Sequence, residues 1–275
     1  MNTRIVCLGF FALMSSANAA PVSETRTWTE SFPVTSEAPQ LTIKNIWGNV
    51  NVRRGSPGTI SVVIDEKRSA PSQALFERSL ETFRLDIETD VDGVAIYVGD
   101  HDGTWERRDP CRGCRVDYQF EVTVPPGTQL DVSTVNDGRI DVSGISGMVS
   151  ASNVNGPISV SEIGNCNDLD SVNGAVDVSF STAPGQDCSI GTINGDIAIS
   201  MPDGSGLDVA LDLFNGRMTT EFEVDSYALP AQVEQSNDNG RLRYKIQQSA
   251  GLRIENGGPT FSISSLNGDI RFQKN

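Results

Sequence analysis

The amino-acid sequence predicts an all-β fold. We expect a repeat-built β-solenoid (β-helix-like), preceded by a β-rich region that carries one short helix. Three observations lead to this prediction: the dipeptide Asn-Gly recurs, its spacing is nearly constant, and apolar residues follow it at alternating positions. Successive glycines from Gly138 to Gly216 lie 18, 18, 21 and 21 residues apart. Self-similarity at such a period is typical of repeat proteins.

The residues two and four positions after each repeat glycine are apolar in nearly every repeat. This period-two alternation indicates strands with one buried face. We therefore expect equivalent strands of successive coils to stack about 4.8 Å apart. The repeat glycines are Gly138, Gly156, Gly174, Gly195, Gly216, Gly240 and Gly268. The residues expected to form one buried column are Ile140, Val142, Ile158, Val160, Val176, Val178, Ile197 and Ile199.

Asn-Gly between strand-like runs is also typical of a two-residue β-hairpin. A hairpin would pair Ile193 with Asp196, so that an apolar residue meets a polar one and neither face can be buried. We favour a corner of a solenoid coil, at which the residue before Asn and the residue two after Gly both face inward. Glycine suits a corner that needs a positive φ, and stacked Asn side chains can form a hydrogen-bonded ladder. A twisted β-sandwich of the same strands is the alternative.

The chain before the repeats is expected to be β-rich with one helix. The helix is predicted to begin near Pro71, and Phe76, Leu80 and Phe83 give it one apolar stripe that packs against a sheet. Pro125-Pro126-Gly127 marks the junction at which the repeats begin. The strand-like runs are Gln40–Val52, Thr59–Ile64, Val94–Val98 and Val116–Val124.

The first residues are predicted to be a secretory signal peptide. Arg4 gives a basic start, an apolar run of about ten residues follows, and Ala17-Asn18-Ala19 supplies the small-residue cleavage pattern. That run is too short to cross a bilayer, so we expect an exported chain, periplasmic or extracellular, with no transmembrane segment. The predicted divisions are the signal peptide over 1–19, the β-rich region over 20–126, solenoid repeats over 127–226, and C-terminal repeats with a cap over 227–275.

Removal of the signal peptide leaves four cysteines, an even number that indicates disulfides in an exported chain. The pairs that the spacing favours are Cys111–Cys114 and Cys166–Cys188, with a bond between the two pairs as the rival. Cys166 and Cys188 lie at nearly equivalent places on neighbouring coils, but an offset of one residue would turn their side chains to opposite faces. The CxxC spacing of the first pair is compatible with a redox pair or half of a metal site. A structural clip is favoured because Pro110 precedes the pair and a strand-like run from Arg115 to Val124 follows it, whereas a redox pair normally lies at a helix N-terminus.

Composition disfavours several classes of function. A formal charge of −15 makes nucleic acid or an anionic membrane an unsuitable partner. The single histidine, His101, removes most metal-enzyme and triad chemistries. Its neighbours Asp100, Asp102 and Asp109, with the CxxC cysteines, could hold zinc, but a solvated acidic loop is the favoured interpretation. Calcium on acidic turns is possible, although the sequence has no EF-hand or calcium-binding nonapeptide repeat.

Parallel β-helices can be carbohydrate enzymes that use carboxylates on one sheet face. The outward row three residues after each glycine contains Asp141 and Asp177, expected two strands apart at roughly 10 Å. That distance is at or just beyond the separation of an inverting glycosidase pair. The row Asp141, Ser159, Asp177, Ala198 and Thr219 has no aromatic or basic residue that would hold a sugar. We therefore expect these acids to solubilise the surface, and we assign no catalytic, cofactor or metal residues.

Two runs and the repeated motif Val-Asn-Gly-x-Ile-x-Val resemble a known family. The runs are Ile43–Val52 (IKNIWGNVNV) and Tyr118–Gly127 (YQFEVTVPPG). The chain is similar to the adhesin-like β-strand-repeat domain of unknown function of bacterial envelope proteins, which is related to the GIN domains proposed as adhesin heads. The resemblance covers nearly all of the mature chain, from about Trp28 onward. It implies a β-helical fold and an exported location, and it supplies no activity.

These observations together predict an exported, noncatalytic, adhesin-like binding module of the cell envelope or the extracellular space. Regular coils would present a rigid surface to a protein or glycan ligand. A periplasmic structural accessory protein of a signalling or assembly system is the alternative, and a β-helical carbohydrate-active enzyme is a third candidate. We expect no cofactor.

Overall fold

The computed structural model describes residues 21–99, 111–228, 232–238, 241–247 and 250–275. The chain is all-β with one helix, as predicted. Its strands form a ten-stranded sheet (sheet A), an eleven-stranded sheet (sheet B) and a separate two-stranded sheet. No described helix is long and apolar enough to span a membrane. The predicted signal peptide, residues 1–19, lies outside the described residues.

The N-terminal region contributes strands to both large sheets. Its elements are β1 (Val22–Pro33), β2 (Gln40–Lys44), β3 (Val50–Arg54), β4 (Thr59–Ala70), α1 (Gln73–Thr82), β5 (Leu85–Thr89), β6 (Gly93–Val98) and β7 (Arg115–Val124). The single predicted run from Gln40 to Val52 is divided by a corner into β2 of sheet B and β3 of sheet A. These two strands therefore follow the same alternation between sheet B and sheet A as the repeats.

Helix α1 begins after Ser72, whose side-chain oxygen accepts a hydrogen bond from the backbone N–H of Leu75. Phe76 and Phe83 are buried, as the predicted apolar stripe requires, but Leu80 is 44% exposed. Buried Ser79 lies on the inner face in its place. The prediction of Leu80 as a core residue is wrong because a polar network, described below, occupies that part of the interface.

From residue 129 onward the chain alternates between sheet B and sheet A. The strands are β8 (Gln129–Thr134), β9 (Ile140–Ser143), β10 (Met148–Asn155), β11 (Ile158–Ile163), β12 (Asn165–Asn173), β13 (Val176–Phe180), β14 (Cys188–Asn194), β15 (Ile197–Met201), β16 (Leu207–Asn215) and β17 (Met218–Thr220). From β8 to β15, each strand pairs in parallel with its equivalent one coil away. Strands β2 and β3 pair with β8 and β9 in the same way, so both sheets run through both regions.

The last repeat lies inside the stack. The remaining strands are β18 (Val224–Ala228), β19 (Gln232–Asp238), β20 (Arg241–Gln247), β21 (Ala250–Ile254), β22 (Thr260–Asn267) and β23 (Ile270–Lys274). Strand β22 pairs in parallel with β14 on one side and β16 on the other, and β23 lies between β15 and β17. Strands β18 and β21 extend sheet B by antiparallel pairing. Strands β19 and β20 pair antiparallel in the separate two-stranded sheet. Asn239 and Gly240 lie outside the described residues, but the strands on either side of them join neither large sheet, so the prediction that this Asn-Gly is a corner of the stacked repeats is wrong.

The predicted C-terminal cap is thus divided between the end of the stack and its interior. Ile263, Ile270 and Phe272 of the last repeat are at most 1% exposed. By contrast, Leu213 and Met218 of the preceding repeat are only partly buried. The more apolar of the two coils occupies the interior position, where both of its edges are paired and its side chains are fully covered.

Inward side chains of both large sheets form one continuous apolar core. All eight residues predicted to form a buried column are at most 2% exposed and pair in register across sheet A. The prediction of this column is confirmed. Period-two alternation was sufficient to find it because one face of sheet A is buried along its whole repeat region.

A buried ion pair lies beneath helix α1. The side chains of Glu66 and Arg68, both on β4, are only 7% and 3% exposed. The Arg68 guanidinium donates hydrogen bonds to Glu66, to the carbonyl oxygens of Ser79 and Phe83, and to the hydroxyl of Tyr118 (3.0 Å). Burial, and next the charge of Glu66, raise the pKa of Tyr118 to about 12. Arg68 therefore joins the end of the helix to strands β4 and β7.

Candidate functional site

A line of exposed apolar side chains runs along the outer face of sheet B. Among the described residues, eight large apolar side chains are exposed, and six of them occupy equivalent positions, immediately before the corner Asn, on neighbouring strands. We call these six the apolar row. In spatial order, the apolar row is Val135, Val154, Val172, Ile193, Leu266 and Phe214. Their exposed fractions rise from 36% at Val135 to 75% at Phe214.

The prediction that the residue before Asn faces inward is wrong, and the reason is the hydrogen bonding of the corner. The inward position is one residue earlier and holds a small polar side chain in most coils. Asn153 Nδ2 donates to the carbonyl oxygen of Gly138 (2.8 Å), and the Thr192 hydroxyl donates to that of Gly174 (2.9 Å). The buried polar residues of this column are Thr134, Asn153, Ser171, Thr192 and Ser265.

This polar column could have been found in the sequence. All five residues stand two positions before the corner Asn, where a regular alternation places a buried side chain. They were not recognised because small polar residues are ordinarily expected on the surface. Since a strand alternates, a buried polar residue at this position turns the next residue, the apolar one, to the solvent.

The corner asparagines form a hydrogen-bonded ladder beside the apolar row. Each Nδ2 donates to the Oδ1 of the Asn on the neighbouring coil, with distances between 2.8 and 3.2 Å. In spatial order, the members are Asn136, Asn155, Asn173, Asn194, Asn267 and Asn215. The ladder fixes the corners to one another and holds the apolar row in a straight line.

The corner glycines allow the backbones of neighbouring coils to approach closely. A Cβ atom at Gly174 would lie below 3.0 Å from the carbonyl oxygen of Gly156, and every other corner glycine that the structure describes, including Gly48 between β2 and β3, has a similar backbone neighbour. Among these glycines, φ is positive only at Gly48 (110°) and Gly268 (158°). The expectation that the corners need glycine for a positive φ is therefore wrong for most of them. These positions need glycine because the backbones of neighbouring coils approach each other too closely for a Cβ atom.

Replacement of Gly174 by Ala should destabilise the protein by about 2–3 kcal/mol, because the new methyl group meets rigid backbone atoms of the next coil. The free energy of unfolding in urea measures the effect. Gly185→Ala is the matched control, since its Cβ would meet only Asn165 Oδ1, at 3.7 Å. Equal stability of the two variants would contradict the role of close approach.

A shallow groove of about 400 Å³ lies beside the apolar row. The row forms one of its sides, and the adjacent outward column of sheet B forms its floor. The floor residues are Ser133, Ser152, Asp170, Gly191 and Ser264. Gly191 has no side chain, and the carboxylate of Asp170 extends over the space that a Cβ atom at position 191 would occupy. The groove is therefore apolar on one side and carries a carboxylate in its floor.

Asp170 is the ionisable group with the most altered environment on this face. Its pKa is raised to about 6, first by burial and then by the charge of Asp168, two residues away on the same face of β12. In the unfolded chain the pKa would be near 3.8. This group therefore favours the folded state fully below about pH 4, and the favourable contribution is lost as the pH rises through about 6.

The carboxylates weighed as a catalytic pair lie on the outer face of sheet A, away from this groove. Asp141 and Asp177 flank Ser159 in register, two strands apart as expected. Asp141 forms an ion pair with Arg139 (2.7 Å). The insertion of β23 brings Arg271 into the same row, beside Ala198, so the expectation of a row without a basic residue is wrong.

The structure pairs Cys166 with Cys188, at a Cα–Cα distance of 5.4 Å. The offset of one residue is absorbed by a β-bulge in β12, where Asn167 is the extra residue opposite β10. In a regular strand Cys166 would face outward, because Leu169 faces inward. The bulge turns Cys166 into the core, where both cysteines are buried.

Cys111 and Cys114 form the second disulfide, and their Sγ atoms lie 3.1 and 3.5 Å from the carbonyl oxygen of Leu75 in α1. The bond holds the turn at residues 111–114 against the helix. In this form neither sulfur is available as a thiolate ligand for zinc.

The other residues considered for a metal site, Asp100, His101, Asp102 and Asp109, lie outside the described residues. Within the described part of the chain, no group of three or more His, Cys, Asp or Glu residues is arranged to hold a metal ion.

No protein-family model matches the chain, and no curated protein matches it. Among solved structures, it is similar to a putative cell adhesion protein from Clostridium sporogenes, with a TM-score of 0.46 and 11% identity over 91% of this chain and 100% of that chain. It is also similar to a putative adhesin from Bacteroides fragilis, with a TM-score of 0.28 and 9% identity over 90% and 97% of the two chains. Similarities at this level show nothing about function. The function is therefore inferred from the surface of the molecule.

Proposed function

We propose that this chain is an exported, noncatalytic, adhesin-like binding module of the cell envelope or the extracellular space. Its stacked coils would form a β-solenoid, and the apolar row would be its binding surface. The observation that carries the proposal is the alignment of six of the eight exposed large apolar side chains of the described residues. Contiguous apolar patches on a soluble protein mark interaction sites, whereas scattered single residues need no explanation.

The surroundings of the apolar row support a rigid binding surface. The Asn ladder runs along it, and the disulfide between Cys166 and Cys188 joins two of the strands that carry it, β12 and β14. Parallel pairing of equivalent strands over successive coils supports the solenoid description. A surface fixed in this way loses little conformational entropy when a partner binds.

The test is a binding screen of residues 20–275 on protein and glycan arrays, followed by affinity measurement for each ligand found. We expect Val172→Ser/Ile193→Ser to weaken binding at least tenfold, because it removes apolar area from the centre of the row. Asp177→Ser/Ala198→Ser is the matched control on the outer face of sheet A and should bind normally. Chemical analysis of the ligand after incubation should show no change.

Two results would overturn the proposal. One is a ligand that binds equally well to the row variant, since the apolar row would then not be the binding surface. The other is conversion of the ligand into a product, which would make the protein an enzyme.

A further inference from the structure

Two carboxylates beside the apolar row lack a positively charged partner. Asp168 and Asp170 project outward from β12, and within the described part of the chain neither forms an ion pair. Their cross-strand neighbours are uncharged: Ser150, Ser152, Ser189 and Gly191. Asp131 and Asp208 on the same face pair with Lys44 (2.6 Å) and Arg253 (2.8 Å), whereas Asp212, exposed at the far end of the floor column beside Ser264, has no ion pair among the described residues.

The two acids destabilise each other in the absence of a cation. Burial and the neighbouring charge of Asp168 raise the pKa of Asp170 to about 6, so holding both carboxylates ionised costs more here than at an exposed aspartate. A cation placed between them would gain from both charges, and the partly desolvated site would strengthen that attraction.

The length of the apolar row fits an extended polypeptide, and the groove runs along four of the six members of the row, Val135, Val154, Val172 and Ile193. The apolar row crosses six strands, and five steps of about 4.8 Å give a length of about 24 Å. An extended chain rises about 3.3 Å per residue, so about seven residues would span the row. The floor consists mainly of serines with Gly191 at its centre, which leaves room for a backbone between the row and the two acids.

We propose that the partner of the apolar row is an extended polypeptide segment of about seven residues in which apolar and basic residues alternate. Its apolar side chains would pack against Val154, Val172 and Ile193, and its Lys or Arg side chains would lie toward Asp168 and Asp170. Alternate side chains of an extended chain point in opposite directions, which matches a groove with an apolar side and an acidic side. This inference rests on the proposed binding function and names the chemistry of the ligand.

The probes are three synthetic heptapeptides that are labelled for fluorescence anisotropy: alternating Val and Lys, alternating Val and Glu, and alternating Ser and Lys. We expect the Val/Lys peptide to bind at least tenfold more tightly than either of the others. The Val/Glu peptide has no positive charge to place near Asp168 and Asp170, and the Ser/Lys peptide has no apolar side chains to pack against the apolar row.

Two matched double variants locate the charge effect. Asp168→Asn/Asp170→Asn should weaken binding of the Val/Lys peptide about tenfold and reduce the dependence of its affinity on salt. Asp141→Asn/Asp177→Asn removes the same charge from the outer face of sheet A and should leave both quantities unchanged. Circular dichroism of each variant checks that it is folded.

Failure of this inference can be distinguished from failure of the proposed function. If array ligands bind through the apolar row while the Val/Lys peptide does not, the binding function stands and the polypeptide partner is wrong; a glycan ligand would be such a case. Equal effects of the two Asp variants would also overturn the inference. If neither the peptides nor any array ligand depends on the row, both proposals fail.

Self-association is measured first, by sedimentation of the chain alone, because the sequence alternates basic and apolar residues over 241–247. We expect a monomer. We assign the segment to another protein, so an oligomer that the Asp168→Asn/Asp170→Asn variant dissociates would identify a second copy as the occupant of the groove and overturn that assignment.

Discussion

The Val176→Asp variant is expected to lose about 4 kcal/mol or more of its free energy of unfolding. Val176 is fully buried in sheet A between Ile158 and Ile197, and an aspartate there would bring an unpaired charge into the core. Native domains are stable by only about 5–15 kcal/mol, so this loss would remove a large share of the total stability. Urea unfolding followed by circular dichroism measures the loss.

A second substitution at the same position keeps this prediction testable if the aspartate variant does not fold. Val176→Ala removes two methyl groups and should cost about 2 kcal/mol through lost burial and the cavity that remains. Asp177→Val is the control, because the neighbouring residue faces outward and the same two residue types are exchanged in the opposite direction. A Val176→Asp protein as stable as the unmodified chain would remove the basis for a buried column in sheet A.

Replacement of Arg68 by Ala should destabilise the protein by about 3–5 kcal/mol. The guanidinium bonds to Glu66, to Tyr118 and to carbonyl oxygens at the end of α1, and its loss leaves the Glu66 carboxylate buried without a cation. The same urea measurement applies. The near-ultraviolet spectrum should also change, because Tyr118 loses a hydrogen-bond donor.

The double variant Glu66→Leu/Arg68→Met shows how much of the destabilisation comes from leaving the Glu66 carboxylate buried without a cation, and how much from losing the other contacts of Arg68. Removal of both charges together leaves no buried ion, and apolar replacements of a buried pair are often neutral or stabilising. We therefore expect the double variant to be more stable than Arg68→Ala alone. If it is equally unstable, the contribution of Arg68 lies in packing and in its bonds to the helix rather than in neutralising Glu66.

The apolar interior of this fold could be predicted because it follows from alternation within each strand. Ile158 and Val160, for example, keep the same distance from their corner glycine as Val176 and Val178 do, and a buried face requires that regularity. The buried acid and base of β4 were not predicted, since their partners come from a helix and a strand that are remote in sequence. Such a network depends on tertiary contacts, which single-sequence periodicity does not contain.

The candidate site was missed for a more specific reason. Its apolar residues were assigned to the core because hydrophobicity was taken as the guide to direction, whereas in four coils the inward residue is the one whose side chain donates a hydrogen bond to a corner carbonyl. Val172 is exposed because Ser171 is needed inside, where its hydroxyl donates to the carbonyl oxygen of Gly156 (3.0 Å). The bulge at Asn167 is a similar case, in which one extra residue reverses the direction of Cys166.

The position of the last repeat has an evolutionary consequence. If residues 202–259 were absent, β15 would be followed directly by β22, and from β8 onward the order of the strands along the chain would equal their order in each sheet. The hydrogen bond from Asn267 to Asn194 already joins the two coils that would then be consecutive (2.9 Å). Residues 202–259 therefore form an insertion between two coils that are neighbours in space. That insertion carries Phe214, the most exposed member of the apolar row. Gain or loss of this single segment would lengthen or shorten the exposed surface by one strand while the neighbouring coils keep their register, so the reach of the module can evolve in one step.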